Sequence, residues 1–306
     1  MKIAIVGSGA IGCYYGARLL QAGNDVRFLM RSDLETVRSQ GLRIMSPAGN
    51  AHLHNLPAYA TTGEIGPVDL VFIALKSTAN DALPALVPPL LGPDTAILTL
   101  QNGLGNEEFL GSHFGHQRIL GGLGFVCITR TAPGVIEHYG HGSIVLGEAR
   151  GPGTPRAENI VATFLAAHIQ CRLAHDMVWE HWRKLVWNIP FNGLSIAAGK
   201  ATVEDLLASP VLRREVEELM LEVITAAGAL AHPIDKSVVP FEIERSLIMG
   251  PYRPSSLVDY ERGLPVEVEA IWGEPLRQAL DAGIQVPRLS LLHALLTRLT
   301  APPTLT

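Results

Sequence analysis

Residues 2–12 read KIAIVGSGAIG. A short β-rich run leads straight into Gly7, Gly9 and Gly12, spaced G-x-G-x-x-G, and a helical pattern over 10–22 follows. That order of strand, glycine loop and helix commits the N-terminus to one kind of unit. The first glycine permits a tight turn, the second lets a ligand approach the backbone, and the third lets helix and strand close on each other. Amide groups at the helix start and the helix dipole favour an anion there. The pattern predicts that Gly7, Ser8, Gly9, Ala10, Ile11 and Gly12 cradle the pyrophosphate of a dinucleotide. The plain alternative is a glycine turn without a ligand.

The rest of the first half keeps alternating. Strands are expected at 25–30, 68–76 and 95–101, with an edge strand at 42–45 and helices at 34–40, near 78–90 and at 105–112. Prolines weaken the helix near 78–90. Such β-α-β alternation calls for a parallel sheet with helices on both faces. Beyond residue 118, GGLGFVCITRT, GVIEHYG and GSIVLGE suggest a meander that closes the sheet, then a helix at 156–167 and a strand near 169–173. From about 175 the pattern turns helical, at 176–198, 202–208, 210–231, 235–248, 263–282 and 288–299. The fold class is therefore α/β: a Rossmann-type dinucleotide-binding domain over 1–173, then an all-helical substrate domain over 174–306.

Composition narrows the partners. The 306 residues are 47% hydrophobic and 17% charged, enough for two cored domains. A net charge of -5 argues against nucleic acid or an anionic membrane as partner. Cys13, Cys127 and Cys171 are scattered, with no metal-ligand spacing, and fit a reducing, cytoplasmic setting. No signal peptide is read before the first strand, and the richest apolar run, 82–91, is cut by Pro84, Pro88 and Pro89. A soluble chain with no resident metal is expected, with a homodimer left open.

Strand ends suggest further site residues, because open α/β sheets bind ligands there. The second strand ends at Arg31, where an NAD site usually has an acid. A guanidinium suits a 2′-phosphate, which favours NADPH. Asp33, two residues on, leaves NADH use open; its simpler role is to cap the helix at 34–40 together with Ser32. Lys76 ends the next strong strand and Asn102 the one after it, where they serve either a ligand or merely solvent and a turn.

In the helical half, HWRKLVWNIPFNGL places Lys184, Asn188 and Asn192 four residues apart on one helix face. Buried polar groups need partners. Either a substrate fills the row, or the lysine snorkels to water and the amides bond neighbouring helices. Pro190 sits between the amides and threatens a kink.

These stretches, with ALKS around Lys76, QNGLGNEE at 101–108, PGVIEHYGHGSIVLGE at 133–148 and SSLVDYERGLPVEVEAIWG at 255–273, resemble the ketopantoate reductase family of the 6-phosphogluconate dehydrogenase-like superfamily. The resemblance runs nearly the full length. It implies NADPH-dependent reduction of 2-dehydropantoate to (R)-pantoate, toward pantothenate and coenzyme A. By position it implies Lys184 as proton donor and Asn102 between nicotinamide and substrate. Asn188, Asn192 and Ser255 would bind the keto acid, Glu267 the nicotinamide-ribose end of the cofactor, and Arg31 with Lys76 the 2′-phosphate. Ser255 is preferred over Ser256 because Asp259 anchors the alignment, and Glu267 is expected within a helix. One departure stands out: Thr202 occupies a position where the family often has a substrate-binding asparagine, which leaves another 2-keto acid open. The other readings are a dehydrogenase relative from the same superfamily and a non-enzymatic NADP(H) sensor. Arg183, the nearest arginine to Lys184, is expected to face away from the row.

Overall fold

A computed structural model describes residues 1–301. The chain divides into two compact units, residues 1–101 with 106–177, and residues 102–105 with 178–306.

The first unit holds ten strands: β1 (Lys2–Val6), β2 (Asp25–Leu29), β3 (Leu42–Met45), β4 (Ala51–Leu53), β5 (Ala58–Tyr59), β6 (Val68–Ile73), β7 (Leu91–Thr99), β8 (Ile119–Ala132), β9 (Val135–Glu148) and β10 (Cys171–Leu173). Its helices are α1 (Ala10–Gln21), α2 (Leu34–Gln40), α3 (Thr62–Ile65), α4 (Leu83–Leu86), α5 (Asn106–Phe114) and α6 (Pro155–Ala166). One sheet runs β4-β3-β9-β8-β7-β6-β1-β2-β5, with β10 beside β9. The stretch from β5 to β8 is parallel, as the alternation predicts. Its register pairs Leu29 with Val6, Val6 with Ile73, and Ile73 with Thr99, so four strands end at one level. The loops that follow therefore share the carboxyl edge of the sheet, where α/β folds bind ligands.

Several expectations need correction. The sheet is mixed, since β8 pairs with β9, and β3 with β4, in antiparallel fashion. The three-piece meander is a single hairpin of two 14-residue strands. Glycines that read as breaks lie within those strands, because cross-strand pairing continues through them. The strand at 42–45 is not an edge; it lies between β4 and β9. The helix near 78–90 is two 3₁₀ turns (Ser77–Ala82 and Pro88–Leu90) around the four-residue α4, as Pro84, Pro88 and Pro89 dictate. β6 ends at Ile73 and β7 at Thr99, so Lys76 and Asn102 each stand three residues past a strand.

The second unit is helical: α7 (Met177–Ala197), α8 (Val203–Ala208), α9 (Pro210–Ala229), α10 (Val238–Leu247), α11 (Ser255–Glu261), a π-helical turn (Glu269–Gly273), α12 (Glu274–Asp281) and α13 (Pro287–Thr300). Its core packs Trp182, Phe191 and Trp272 among Met220, Leu289 and Leu292. The expected helix over 263–282 starts late, so Glu267 precedes the helical turns instead of lying within them. α11 has no counterpart among the expected helices. α7 runs through Pro190 without a break. Trp272 Nε1 donates to the Ile189 carbonyl at 3.0 Å there, and Gly193 leaves the space into which Trp272 and Leu292 fit.

Among the described residues no helix is long and apolar enough to cross a membrane.

Candidate active site

In the first unit Gly7 and Gly12 take the turn and packing roles that the spacing predicts. Gly7 has φ +109, and a Cβ there would lie 2.3 Å from the Leu75 nitrogen. A Cβ on Gly12 would lie 2.1 Å from the Gly7 carbonyl oxygen, so only glycine lets α1 approach β1 this closely. Gly9 has open space where its side chain would be. It is exposed, and it precedes a helix whose first turn carries no acid and whose N-cap makes no side-chain bond. Open backbone donors at a helix start fit a pyrophosphate. Ala10 and Ile11 open α1, while the Ser8 hydroxyl ties the loop to β2 by donating to the Leu29 carbonyl at 2.7 Å.

Arg31 is exposed on the loop after β2 and makes no hydrogen bond or ion pair among the described residues. Asp33 does not cap α2 as expected. It is buried, and its carboxylate accepts from the Ser32 hydroxyl at 2.8 Å, the Arg130 guanidinium at 2.6 Å and the Gly134 amide at 3.1 Å. Burial alone would push its pKa up, but these donors outweigh burial and hold it below the usual carboxylate value. Lys76 is exposed at the start of the first 3₁₀ turn.

Sequence reading missed a chain of amides in this unit. The Thr99 hydroxyl donates to Gln101 Oε1 at 3.0 Å, Gln101 Nε2 to Asn80 Oδ1 at 2.7 Å, and Asn80 Nδ2 to Asn106 Oδ1 at 3.0 Å. Asn80 thus holds Gln101 and Asn106, the residues that flank the segment 102–105. Gln101 and Asn106 lie within the QNGLGNEE motif, but Asn80, 21 and 26 residues away from them, carries no local signal.

In the second unit the segment 102–105 is held against the π-helical turn. Leu104 donates its amide to the Ala270 carbonyl at 2.8 Å, and a Cβ on Gly103 would lie 2.1 Å from that same oxygen. Asn102 is thereby presented to α7, where Lys184 Nζ donates to its Oδ1 at 3.0 Å. Lys184 is partly buried. Desolvation lowers its pKa from 10.5 to about 8, while the charge of Glu267, buried nearby, pushes it back up. A lysine so tuned is protonated at neutral pH and gives up its proton readily.

Along the same face of α7, Asn188 is 8% exposed and Asn192 is 1% exposed. Asn192 has a structural task, since its Oδ1 accepts the Ser256 amide at 2.9 Å and the Ser255 hydroxyl at 3.4 Å, capping α11 from outside. This orientation leaves its Nδ2 to donate elsewhere. Asn188 makes no hydrogen bond among the described residues. Ser255 opens α11 and is exposed; Ser256 is buried. The structure thus brings together Lys184 with Asn102 and Asn192 with Ser255, and sets the charge of Glu267 on Lys184. Thr202 is occupied by a capping box with Asp205. Arg183 is committed to the buried Glu242 at 2.7 Å, so the arginine beside Lys184 is tied into an ion pair with α10.

Backbone open to a pyrophosphate in one unit, and a desolvated lysine held by an asparagine in the other, are the equipment of an oxidoreductase that works with a nicotinamide dinucleotide. Comparison with known proteins narrows that class. The ketopantoate reductase PanE/ApbA profile matches residues 3–151 and its C-terminal counterpart matches residues 176–300. The chain belongs to the ketopantoate reductase family. It is 40% identical over 297 residues to a 2-dehydropantoate 2-reductase of Nostoc sp., covering 95% of this chain and 93% of the relative. The crystal structure of 2-dehydropantoate 2-reductase from Geobacter metallireducens superimposes with a TM-score of 0.95 at 44% identity, covering 97% of this chain and 99% of that one. The enzyme of the same name from Methylococcus capsulatus gives a TM-score of 0.91 at 31% identity, covering 99% of both chains.

Proposed function

We propose that this chain reduces 2-dehydropantoate to (R)-pantoate with NADPH, in the cytoplasm, as a step toward pantothenate. The observation that carries the reading is the α7 row: a lysine with its pKa drawn down to about 8, followed on the same face by a buried amide, Asn188, that makes no hydrogen bond among the described residues. Its nitrogen and oxygen are not sealed from solvent, so a bound polar substrate can take the place of water on them.

When bound, the nicotinamide would supply the hydride that reaches the keto carbon. Lys184 gives its Nζ proton to the oxygen that gains charge in that step, so the keto group becomes a secondary alcohol and the amine is left neutral. Asn102 Oδ1 fixes the direction of the ammonium, and Glu267 keeps it charged against desolvation. Asn188 and the Asn192 Nδ2 supply hydrogen bonds to the substrate's polar groups, and the Ser255 hydroxyl serves its carboxylate. The open backbone at Gly9 takes the pyrophosphate, with Gly7, Ser8, Ala10, Ile11 and Gly12 shaping the loop. NADPH is preferred because Arg31 is exposed with no acid paired to it, and the carboxylate of Asp33 is already engaged. Lys76 is the second cation for the 2′-phosphate.

The test follows NADPH absorbance with 2-dehydropantoate, beside pyruvate, 2-ketoisovalerate and an NADH control. Rapid oxidation confined to 2-dehydropantoate with NADPH supports the whole reading. Turnover of another keto acid instead would keep the mechanism and overturn the substrate. Tight NADPH binding without turnover of any of them would leave a sensor.

A further inference from the structure

Asp33 is the only acid in the loop that joins β2 to α2, two residues beyond Arg31. An acid near this strand end accepts the ribose 2′-hydroxyl in NAD sites and repels a 2′-phosphate. Here Asp33 is 6% exposed and its carboxylate carries three donors. Arg130, near the end of β8, takes Oδ1 at 2.6 Å, and Gly134, in the turn between β8 and β9, takes Oδ2 at 3.1 Å. The remaining bond, from Ser32 at 2.8 Å, comes from the neighbouring residue. Asp33 stands four residues past Leu29, whose carbonyl takes the Ser8 hydroxyl of the glycine loop at 2.7 Å. The buried Cys13 thiol, which donates to the Ser8 carbonyl at 3.3 Å, feels Asp33 and Arg130 with opposite signs. Arg130 reaches Asp33 across 97 residues of sequence while its side chain stays 43% exposed.

We propose that Arg130 is a specificity-determining residue for the cofactor: by holding Asp33 it withholds the loop's only carboxylate from a ribose 2′-hydroxyl and leaves Arg31 unopposed for a 2′-phosphate. The proposal rests on the NADPH reading above and adds the device that enforces it. Arg130 is a positioning residue for Asp33. Freed of Arg130, the carboxylate regains room to turn toward the adenosine end of the site.

The test compares kcat/KM for NADPH and NADH in the wild type, Arg130→Gln and Arg130→Gln with Asp33→Asn. Binding of adenosine 2′,5′-bisphosphate and of AMP to each full-length protein is measured in parallel. Arg130→Gln is expected to lower the NADPH-over-NADH preference by about tenfold or more, with AMP bound more tightly and kcat at saturating cofactor within about twofold. Adding Asp33→Asn is expected to restore most of the preference, which a general loss of structure does not do. Arg130→Lys, which keeps the charge but loses the guanidinium fork, is expected to shift the preference the same way by about threefold and serves if the glutamine variant fails to fold. A preference unchanged within about twofold in either variant, or a double variant as impaired as the single, overturns the proposal. A wild type that binds the bisphosphate no better than AMP overturns the NADPH reading itself, a separate result.

Discussion

Replacing Lys184 with methionine should cost activity and gain stability, and the structure sets the size of the gain. Methionine preserves much of the apolar stem and removes the ammonium. The folded pKa of about 8 lies below the ordinary 10.5, so the unfolded chain binds the proton more tightly. The resulting penalty is complete below about pH 8 and disappears as pH approaches 10.5, where both states are neutral. At about 1.36 kcal/mol per pKa unit, holding the charge at pH 7 costs about 3 kcal/mol, or about 2 kcal/mol once partial solvent access is discounted. Loss of the bond to Asn102 offsets about 1 kcal/mol of the gain. Lys184→Met should therefore be more stable than wild type by about 1 kcal/mol at pH 7, a Tm rise of about 2–4 °C. Relative to wild type the variant should lose about 1.5 kcal/mol between pH 7 and pH 10, turning the advantage into a small deficit. Denaturant titrations of both proteins at the two pH values measure this, and the change with pH is the sharper readout because the lost Asn102 bond enters at both. Turnover should fall by about two orders of magnitude or more. A stability difference that does not move with pH would refute the desolvation account; near-normal turnover would remove Lys184 from the mechanism.

Glu267→Gln removes the charge that keeps Lys184 protonated, so the alkaline limb of kcat/KM should move to lower pH by about one unit; a limb that stays in place would show that this carboxylate does not act on the lysine. Asn188→Ala and Asn192→Ala should behave differently despite sharing a helix face. The first should raise KM for the keto acid about tenfold while changing stability by less than about 1 kcal/mol, since no protein hydrogen bond is lost. The second should impair binding and also cost about 1 kcal/mol of stability through the lost cap on α11, and equal denaturation midpoints for the two variants would contradict the assigned bonds.

The parts of this design that were legible in the sequence are those set within one element or across one turn. KIAIVGSGAIG contains the strand, the turn and the helix start that its glycines serve, so the roles of Gly7 and Gly12 follow from spacing and reappear as distances to neighbouring backbone. The α7 row is legible for the same reason, because a four-residue step on a helix fixes a face. Illegible features depend on distant partners. The strands β8 and β9 run through glycines that look like breaks, since each is held by the other. Asp33 reads as a cap from its neighbours and proves to be an ion-pair partner of Arg130. The stretch after Lys76 is read as a helix because it joins two parallel strands, yet its prolines allow only short turns.

Asn102 shows how such a distant partner changes the meaning of a motif. NGLG reads as a turn, and positive φ at Gly103 and Gly105 bears that out. The turn alone does not explain why Gly103 tolerates no side chain. The reason is the Ala270 carbonyl, which occupies the Cβ position and also receives the Leu104 amide. Ala270 belongs to the π-helical turn that carries Trp272, and Trp272 bonds the α7 backbone one residue beyond Asn188. One rigid set of contacts therefore connects the loop that presents Asn102 to the helix that presents Lys184 and Asn188. The 3.0 Å bond between Lys184 and Asn102 then follows from how three segments are locked together, not from a flexible lysine finding a nearby acceptor. The snorkelling alternative requires a side chain free to reach water, whereas Lys184 Nζ is engaged by Asn102, an arrangement that fits the proton donor proposed above.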